Sequence, residues 1–547
     1  MKRTTLAVLM VALALVALAA PMAYAQAPAP KVTINGLIDN VTSYSRNIAN
    51  YNGGTFNRPD DQWYARTRGR FDIVGEVGKA KGVLGIEIDA VWGQTGSADT
   101  AVGGGTQGFG TTSAFDLNTD NNPSIEVKWL YVEFPVPLIP IPTTARLGAQ
   151  PFGAAATYKI GTYATGDFGG ANVVMQVAPN VKLLGTYVAV EESLVGTKAG
   201  TAGTPATAPL SGIASTQVRG DDFALIGSAE VSPFKGLDIK PMFSYFYAQG
   251  TTNGSARSGR GGLNTSTAYA PTGNFRGGIN EYRYTVGVDT RLRMGPFSLD
   301  PTVLYQFGNK AVIAPASFAG APIENNGGGG VVPGKKYHPD ISAWLVDIRA
   351  GFQLGPLLLE GLVAYTTGNT ARNTTLDDVN YFQVLDTDTG YQADWGSQLT
   401  GLGIDYLNAW NEAAGRIPYS GNQIGWDKYG RIQVGAKATY AITPQFSVMG
   451  GANVHWSAEK IDRNGTAGAG SGITPVFSGA TPRDRSRYVG TELFTVVTYR
   501  FAPGLRWDNA AGYMFMGDAL DAVTDPAAGG RNTNDPWIIT SRVRFTF

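Results

Sequence analysis

One unit recurs about eight times along this chain: two alternating strands joined by a very short turn, followed by a much longer polar stretch. It is plain at residues 223–248, which break at 232–236, and at 282–308, which turn at 294–296. It returns at 344–368 with a turn at 354–356, at 432–457 with a turn at 443–445, and at 488–517 with a turn at 502–504. Short connections on one side and long ones on the other fit antiparallel strands that cross a membrane side by side. In lipid such a sheet must close on itself, because hydrocarbon offers no partner to edge amides. The pattern therefore predicts an all-β fold, a closed antiparallel transmembrane β-barrel, and favours a channel or transporter body over a soluble enzyme.

Strand counting gives one strand near 32–44, then pairs near 63–92, 125–149, 171–190, 223–248, 282–308, 344–368, 432–457 and 488–517, then a last strand at 537–547. One plus sixteen plus one is 18, with 16 as the alternative if one pair fails. The weakest pairs are 125–149, whose turn holds Pro135, Pro137, Pro140 and Pro142, and the short 171–190. With both ends of the chain on one side, the tight turns Gly295-Pro296 and Gly355-Pro356 face the periplasm. Long Gly-, Thr-, Asn- and Ala-rich links at 93–123, 191–220, 250–280, 309–341, 369–430 and 460–487 face outward. That many long loops would argue against a compact soluble domain.

Residues 1–25 read as a secretory signal peptide: Lys2 and Arg3, an apolar stretch at 6–20, then Ala23-Tyr24-Ala25 before Gln26. Residues 26–31 form a short Ala- and Pro-rich leader, and 32–547 read as a single barrel domain. The full chain balances 43 basic against 43 acidic residues; removing Lys2 and Arg3 leaves 41 against 43, a charge of −2. Nothing in that balance points to nucleic acid. Cysteine is absent, which excludes disulfides and thiolate chemistry.

Successive strand residues point to opposite faces, so alternation separates lipid from lumen. At 282–294 one face carries Tyr282, Tyr284, Val286, Val288, Leu292 and Met294. The other carries Arg283, Thr285, Gly287, Asp289, Arg291 and Arg293. Aromatics gather near strand ends on the apolar face, including Tyr305, Phe307, Trp344, Tyr440, Trp456, Tyr499, Trp507, Tyr513 and Phe515. As a set they suit the two membrane interfaces, where a ring stays apolar and its polar tip stays wet.

The final stretch, Trp537-Ile538-Ile539-Thr540-Ser541-Arg542-Val543-Arg544-Phe545-Thr546-Phe547, resembles the C-terminal strand of Gram-negative outer-membrane porins. The likeness rests on terminal Phe547 with Val543 and Phe545 alternating on the lipid side. It implies that Val543, Phe545 and Phe547 form the signal read by the barrel-assembly machinery, and that the protein lives in outer-membrane lipid. Arg146-Leu147-Gly148-Ala149-Gln150-Pro151-Phe152 is similar to a strand-end stretch of porin-like proteins. The resemblance selects no subfamily. It leaves a homotrimer open as an assembly and small hydrophilic solutes as the cargo.

If the apolar faces touch lipid, the alternate residues line a pore. These include Arg66, Arg68, Arg70, Asp72, Glu87, Asp89, Arg283, Asp289, Arg291, Asp347, Arg349, Arg431, Lys437, Arg542 and Arg544. An Arg or Lys on the lipid face near mid-membrane would cost roughly 2–4 kcal/mol, which inward placement avoids. The row Arg66, Arg68, Arg70 stacks guanidinium groups along one wall. It either braces that wall against Glu87, Asp89 and Asp72 or guides anions by focusing the field. Arg542 and Arg544 are placed to meet Asp39 where the last strand closes on the first. The link 369–430 is long enough to fold into the mouth, and Leu402, Leu407 and Trp410 have helical spacing within it. A constriction is the expectation there; an external cap is the alternative.

Enzyme chemistry is not expected. The two histidines, His338 and His455, are separated and have no cysteine to join them in a zinc site. No supported nucleophile elbow occurs. The stretch at 116–122 starts like a calcium loop but lacks Gly at the sixth position and Glu at the twelfth, where Val127 stands. No cofactor is implied. The expected function is a porin for passive diffusion of small hydrophilic solutes. The alternatives are a substrate-specific channel or exporter for a sugar, polysaccharide or organic acid, and a structural barrel sheathing a partner protein.

Overall fold

The computed structural model describes residues 29–48, 61–92, 114–115, 124–152, 157–159, 162–191, 222–249, 280–313, 332, 335–370, 377–387, 395–401, 403, 429–461, 486–520 and 534–547. The barrel strands, in chain order, begin with β1 (Lys31–Arg46), β2 (Asp61–Val77), β3 (Ala80–Trp92), β4 (Ser124–Pro135), β5 (Thr143–Pro151) and β6 (Asp167–Ala178). There follow β7 (Val181–Glu191), β8 (Asp222–Phe234), β9 (Leu237–Gln249), β10 (Asn280–Met294), β11 (Phe297–Lys310) and β12 (Asp340–Leu354). The set ends with β13 (Leu357–Thr366), β14 (Arg431–Ala441), β15 (Phe446–Ile461), β16 (Ser486–Ala502), β17 (Leu505–Met516) and β18 (Trp537–Thr546). Each pairs antiparallel with the next, and β18 pairs with β1 from Leu37↔Thr546 to Arg46↔Trp537, closing an 18-strand barrel. A two-residue piece, Ala114–Phe115, adds in parallel at the end of β3.

Turn chemistry fixes one rim. Gly78, Gly236, Gly295, Gly355 and Gly504 take φ of 62°, 95°, 57°, 55° and 78°, the left-handed region that tight hairpins need. Expected boundaries shift in three places. The first strand starts at Lys31, taking one residue from the leader, and continues to Arg46. The expected break at 232–236 narrows to Lys235-Gly236, because β8 runs on to Phe234 through an irregularity between Val231 and Phe234. Pro137, Pro140 and Pro142 fall in the β4–β5 turn, where no ladder amide is needed, so both strands of that pair survive.

The two faces are inverted relative to a soluble protein. Outward Val363, Val434 and Ile539 are 48%, 46% and 55% exposed, whereas inward Asp289, Gln306 and Glu492 are all 0% exposed. An exterior of bare aliphatic side chains around a polar interior is stable only where the surroundings are apolar. Rings pack laterally across this exterior, Tyr245 stacked on Tyr284 at 5.1 Å, Tyr284 stacked on Phe307 at 5.2 Å and Tyr305 tilted against Trp344 at 4.5 Å. Phe545, Phe547 and Val543 also face outward, and at the seam Phe547 N donates to Gly36 O while Gly36 N donates to Phe547 O (3.0 and 2.9 Å).

Val434→Arg puts a cation in mid-strand on the exterior. It is expected to lower unfolding free energy in lipid vesicles by roughly 2–4 kcal/mol, read by tryptophan fluorescence in a urea titration. An unchanged midpoint would mean that this face does not meet hydrocarbon.

Candidate functional site: the barrel lumen

Ion pairs knit the wall where the barrel closes. Arg68 grips Asp89 with two bonds, Nε to Oδ1 at 2.6 Å and Nη2 to Oδ2 at 2.7 Å, and reaches Glu87 at 3.1 Å. Arg70 also donates to Glu87. Across the seam Arg544 meets Asp39 at 2.6 Å, and Arg542 lies 3.8 Å from Asp39 and 2.6 Å from Asp508. The pairs expected for Arg68, Arg70, Arg542 and Arg544 are thus formed. Asp72 departs from expectation: its partner is the Trp129 indole, whose Nε1 donates to Oδ1 at 2.8 Å. A Cβ at Gly85 would overlap that indole, so the glycine is the notch that lets Trp129 cross β3. Arg66 faces Val41 and Val91 in the two neighbouring strands, with no acid directly opposite, and is fully buried.

A second assembly fills the sector from β6 to β13. In the β5–β6 connection, residues 157–159 and 162–166 lie inward, placing Tyr158 and Lys159 on the lumen wall. Tyr158 N and Thr302 Oγ1 both donate to Asp289, and Lys159 Nζ lies 3.3 Å from Asp289 and 3.9 Å from Asp347. Arg291 donates to the Tyr158 carbonyl at 3.0 Å and stacks over its ring at 4.3 Å. Burial presses the Lys159 ammonium below the usual lysine range, against the pull of Asp347 and Asp289. Burial also pushes the Tyr158 phenol up, helped by Glu230, Asp238 and Asp289.

Residues 377–387 lie against this connection. Asp386–Thr387 pairs in parallel with Ala164–Thr165, and Leu385 N donates to Tyr163 O at 2.8 Å. Gln306 clamps the segment by a reciprocal amide pair, Nε2 to Gln383 O at 2.6 Å and Gln383 N to Oε1 at 2.8 Å. Arg283 adds a bond to the Gln383 side chain. Phe152, Tyr163, Phe382 and Val384 then cover Ile226, Phe246, Leu304 and Leu345, all on the lumen face, as one apolar cluster. The lumen face is therefore apolar over this sector, where the inward segments bury it.

Residues 395–401 form a third inward piece. The Trp395 Nε1 donates to Asn453 at 2.9 Å, and Lys437 sits over the Trp395 ring at 4.4 Å. Trp395 packs with Leu362, Phe494 and Met449. This is an inward fold of link 369–430, although Leu402, Leu407 and Trp410, whose spacing suggested a helix, lie outside the described residues. Arg349 pairs with Asp347 at 3.2 Å, and Arg431 is buried at the mouth end of β14. His455 is on the lumen face as its strand position requires, buried beside Arg431, and among the described residues neither ring nitrogen has a hydrogen-bond partner. Among the described residues no group of three or more His, Asp or Glu is placed to hold a metal ion.

Sequence reasoning missed the inward course of 157–159 and 162–166. The signal lay in strands apolar on both faces near the mouth, such as Ala343-Trp344-Leu345-Val346. Glu87 and Glu76 give a test of the wall. Glu87→Gln weakens the hold on both Arg68 and Arg70 and is expected to lower stability by about 3 kcal/mol. Glu76→Gln, at a 3.9 Å exposed pair with Lys31, should change it by less than about 1 kcal/mol. Equal urea midpoints for the two variants would refute the bracing.

No protein-family model matches the chain, and no curated protein matches it. Among solved structures it is similar to OccK8 (OprE) of Pseudomonas aeruginosa at 10% identity, covering 94% of this chain and 98% of that one, TM-score 0.46. It is similar to a BenF-like porin from Pseudomonas fluorescens Pf-5 at 10% identity, covering 94% and 99%, TM-score 0.45. It is also similar to the outer membrane protein OprD from Pseudomonas aeruginosa at 10% identity, covering 94% and 93%, TM-score 0.44. By its strand number, its closure and the character of its two faces, the chain itself is a closed 18-strand antiparallel barrel with an apolar exterior and a polar interior.

Proposed function

We propose that the protein is an outer-membrane channel through which small hydrophilic solutes diffuse passively, after export directed by residues 1–25. The observation that carries this reading is the pairing of an apolar exterior with a lumen whose wall keeps ionised groups in a closed ring. On the lumen face of β18 and β1–β3, Lys31, Arg66, Arg68, Arg70, Lys81, Arg542 and Arg544 outnumber Asp39, Asp72, Glu76, Glu87 and Asp89, which supports a preference for anions. Val543, Phe545 and Phe547 are proposed as the assembly signal.

A second reading, a substrate-specific channel, is favoured by the inward segments. They are held by fixed side-chain contacts at Asp289, Gln306 and Glu492, and a fixed constriction selects by shape as well as charge. Planar-bilayer recording of the purified protein under a salt gradient tests both. A reversal potential of anionic sign supports the proposal, and conductance that a single solute class blocks at low concentration favours the second reading.

In Arg66→Ala, Arg68→Ala, Arg70→Ala combined, the anion-to-cation permeability ratio is expected to fall by roughly two-fold or more. An unaltered ratio removes these residues from selectivity and leaves them as braces.

A further inference from the structure

Glu492 is a carboxylate on the lumen face of β16 with no exposed surface. Among the described residues its partners are neither arginine nor lysine. Oε1 accepts Gln398 N at 2.7 Å and Leu399 N at 2.8 Å; Oε2 accepts Thr400 N at 3.2 Å and Ser397 Oγ at 3.0 Å, and the Thr400 hydroxyl also donates to it. Three consecutive backbone amides converging on one anion form a nest, a concave array that needs a negative charge at its centre. Here the anion belongs to the barrel wall and the nest to the inward segment. Asn453, in the register position beside Glu492, donates to Ser397 and accepts from Trp395, completing the dock.

The wall is shaped for this piece. A Cβ at Gly512 would press on Gln398 and Leu399, and one at Gly435 would strike Asn453 beside Trp395. The segment is bounded by Gly396 and Gly403, with φ of 104° and 63°, so its ends take conformations that few other residues adopt. Its apolar contacts, with Leu362, Phe494 and Met449, form a cluster separate from the one that holds Phe152, Tyr163, Phe382 and Val384.

We infer that Glu492 is the positioning residue for the pore's constriction: its carboxylate latches residues 395–401 to the wall, independently of the other two inward segments, and so sets the open cross-section. The conductance consequence rests on the channel reading above; the latch itself does not.

The test uses the full-length barrel refolded in detergent or lipid. In Glu492→Ala, and in the near-isosteric Glu492→Gln whose amide places donors against donors, single-channel conductance is expected to rise by roughly two-fold. Acetate should return the Glu492→Ala conductance toward the parent value, whereas chloride at equal ionic strength should not. Ser397→Ala with Thr400→Val weakens the latch from the segment side and should shift conductance in the same direction, which covers a wall variant that fails to fold. Amide exchange by mass spectrometry reads the latch without any current. Peptides spanning 398–400 should be protected in the parent, exchange at least ten-fold faster in Glu492→Gln, and regain protection in Glu492→Ala with acetate. If the parent conducts and both Glu492 variants match it in conductance and exchange, the latch is refuted and the channel reading stands. If the parent carries no current, the channel reading fails, and the exchange result alone decides the latch.

Discussion

Backbone hydrogen bonding in a medium that supplies no partners of its own decides this architecture. Every strand edge must be met by another strand, and the reciprocal bonds between Gly36 and Phe547 show that the requirement holds at the seam where the chain's two ends come together. Once the ring is closed, strand parity forces each side chain to choose between hydrocarbon and lumen. The charges then follow by exclusion. They sit inside, and pairs such as Arg68–Asp89 and Arg544–Asp39 answer the desolvation they meet there.

A ring this wide leaves space that side chains alone do not fill. The chain fills part of it with its own connections, and at each described point of entry a wall side chain takes their backbone: Asp289 and Arg291 at Tyr158, Gln306 at Gln383, Glu492 at residues 398–400. This logic explains why certain lumen positions are glycine. Gly85, Gly435 and Gly512 stand where a neighbour crosses the wall too closely for a Cβ. It also explains apolar residues on the wet face, since Leu304 and Leu345 are covered by Phe382 and its neighbours.

Much of the frame was legible in the sequence because its signals are local. Alternation at 282–294, glycine at the short turns and terminal Phe547 each report on a few adjacent residues, and the count of 18 strands came from adding them. The seam pairs of Asp39 were legible too, because closure makes the first and last strands neighbours. What stayed hidden depends on contacts between distant segments. Nothing near Asp72 announces Trp129, and nothing near Glu492 announces Ser397–Thr400, because each meeting is set by how a long link folds across the ring. Alternation also misleads where burial is by protein: Leu345 looks like a lipid residue on the wrong face until the segment above it is known.

The Gln306–Gln383 clasp differs from the other two anchors in carrying no charge. A primary amide that exchanges two bonds with a peptide group behaves as a single extra rung of sheet, turned toward the axis. Neutral dipoles are indifferent to counter-ions and to protonation, so brine, fresh water or acid leaves this rung unaltered. The lumen thus keeps one anchor whose hold on its segment does not change with salt or pH.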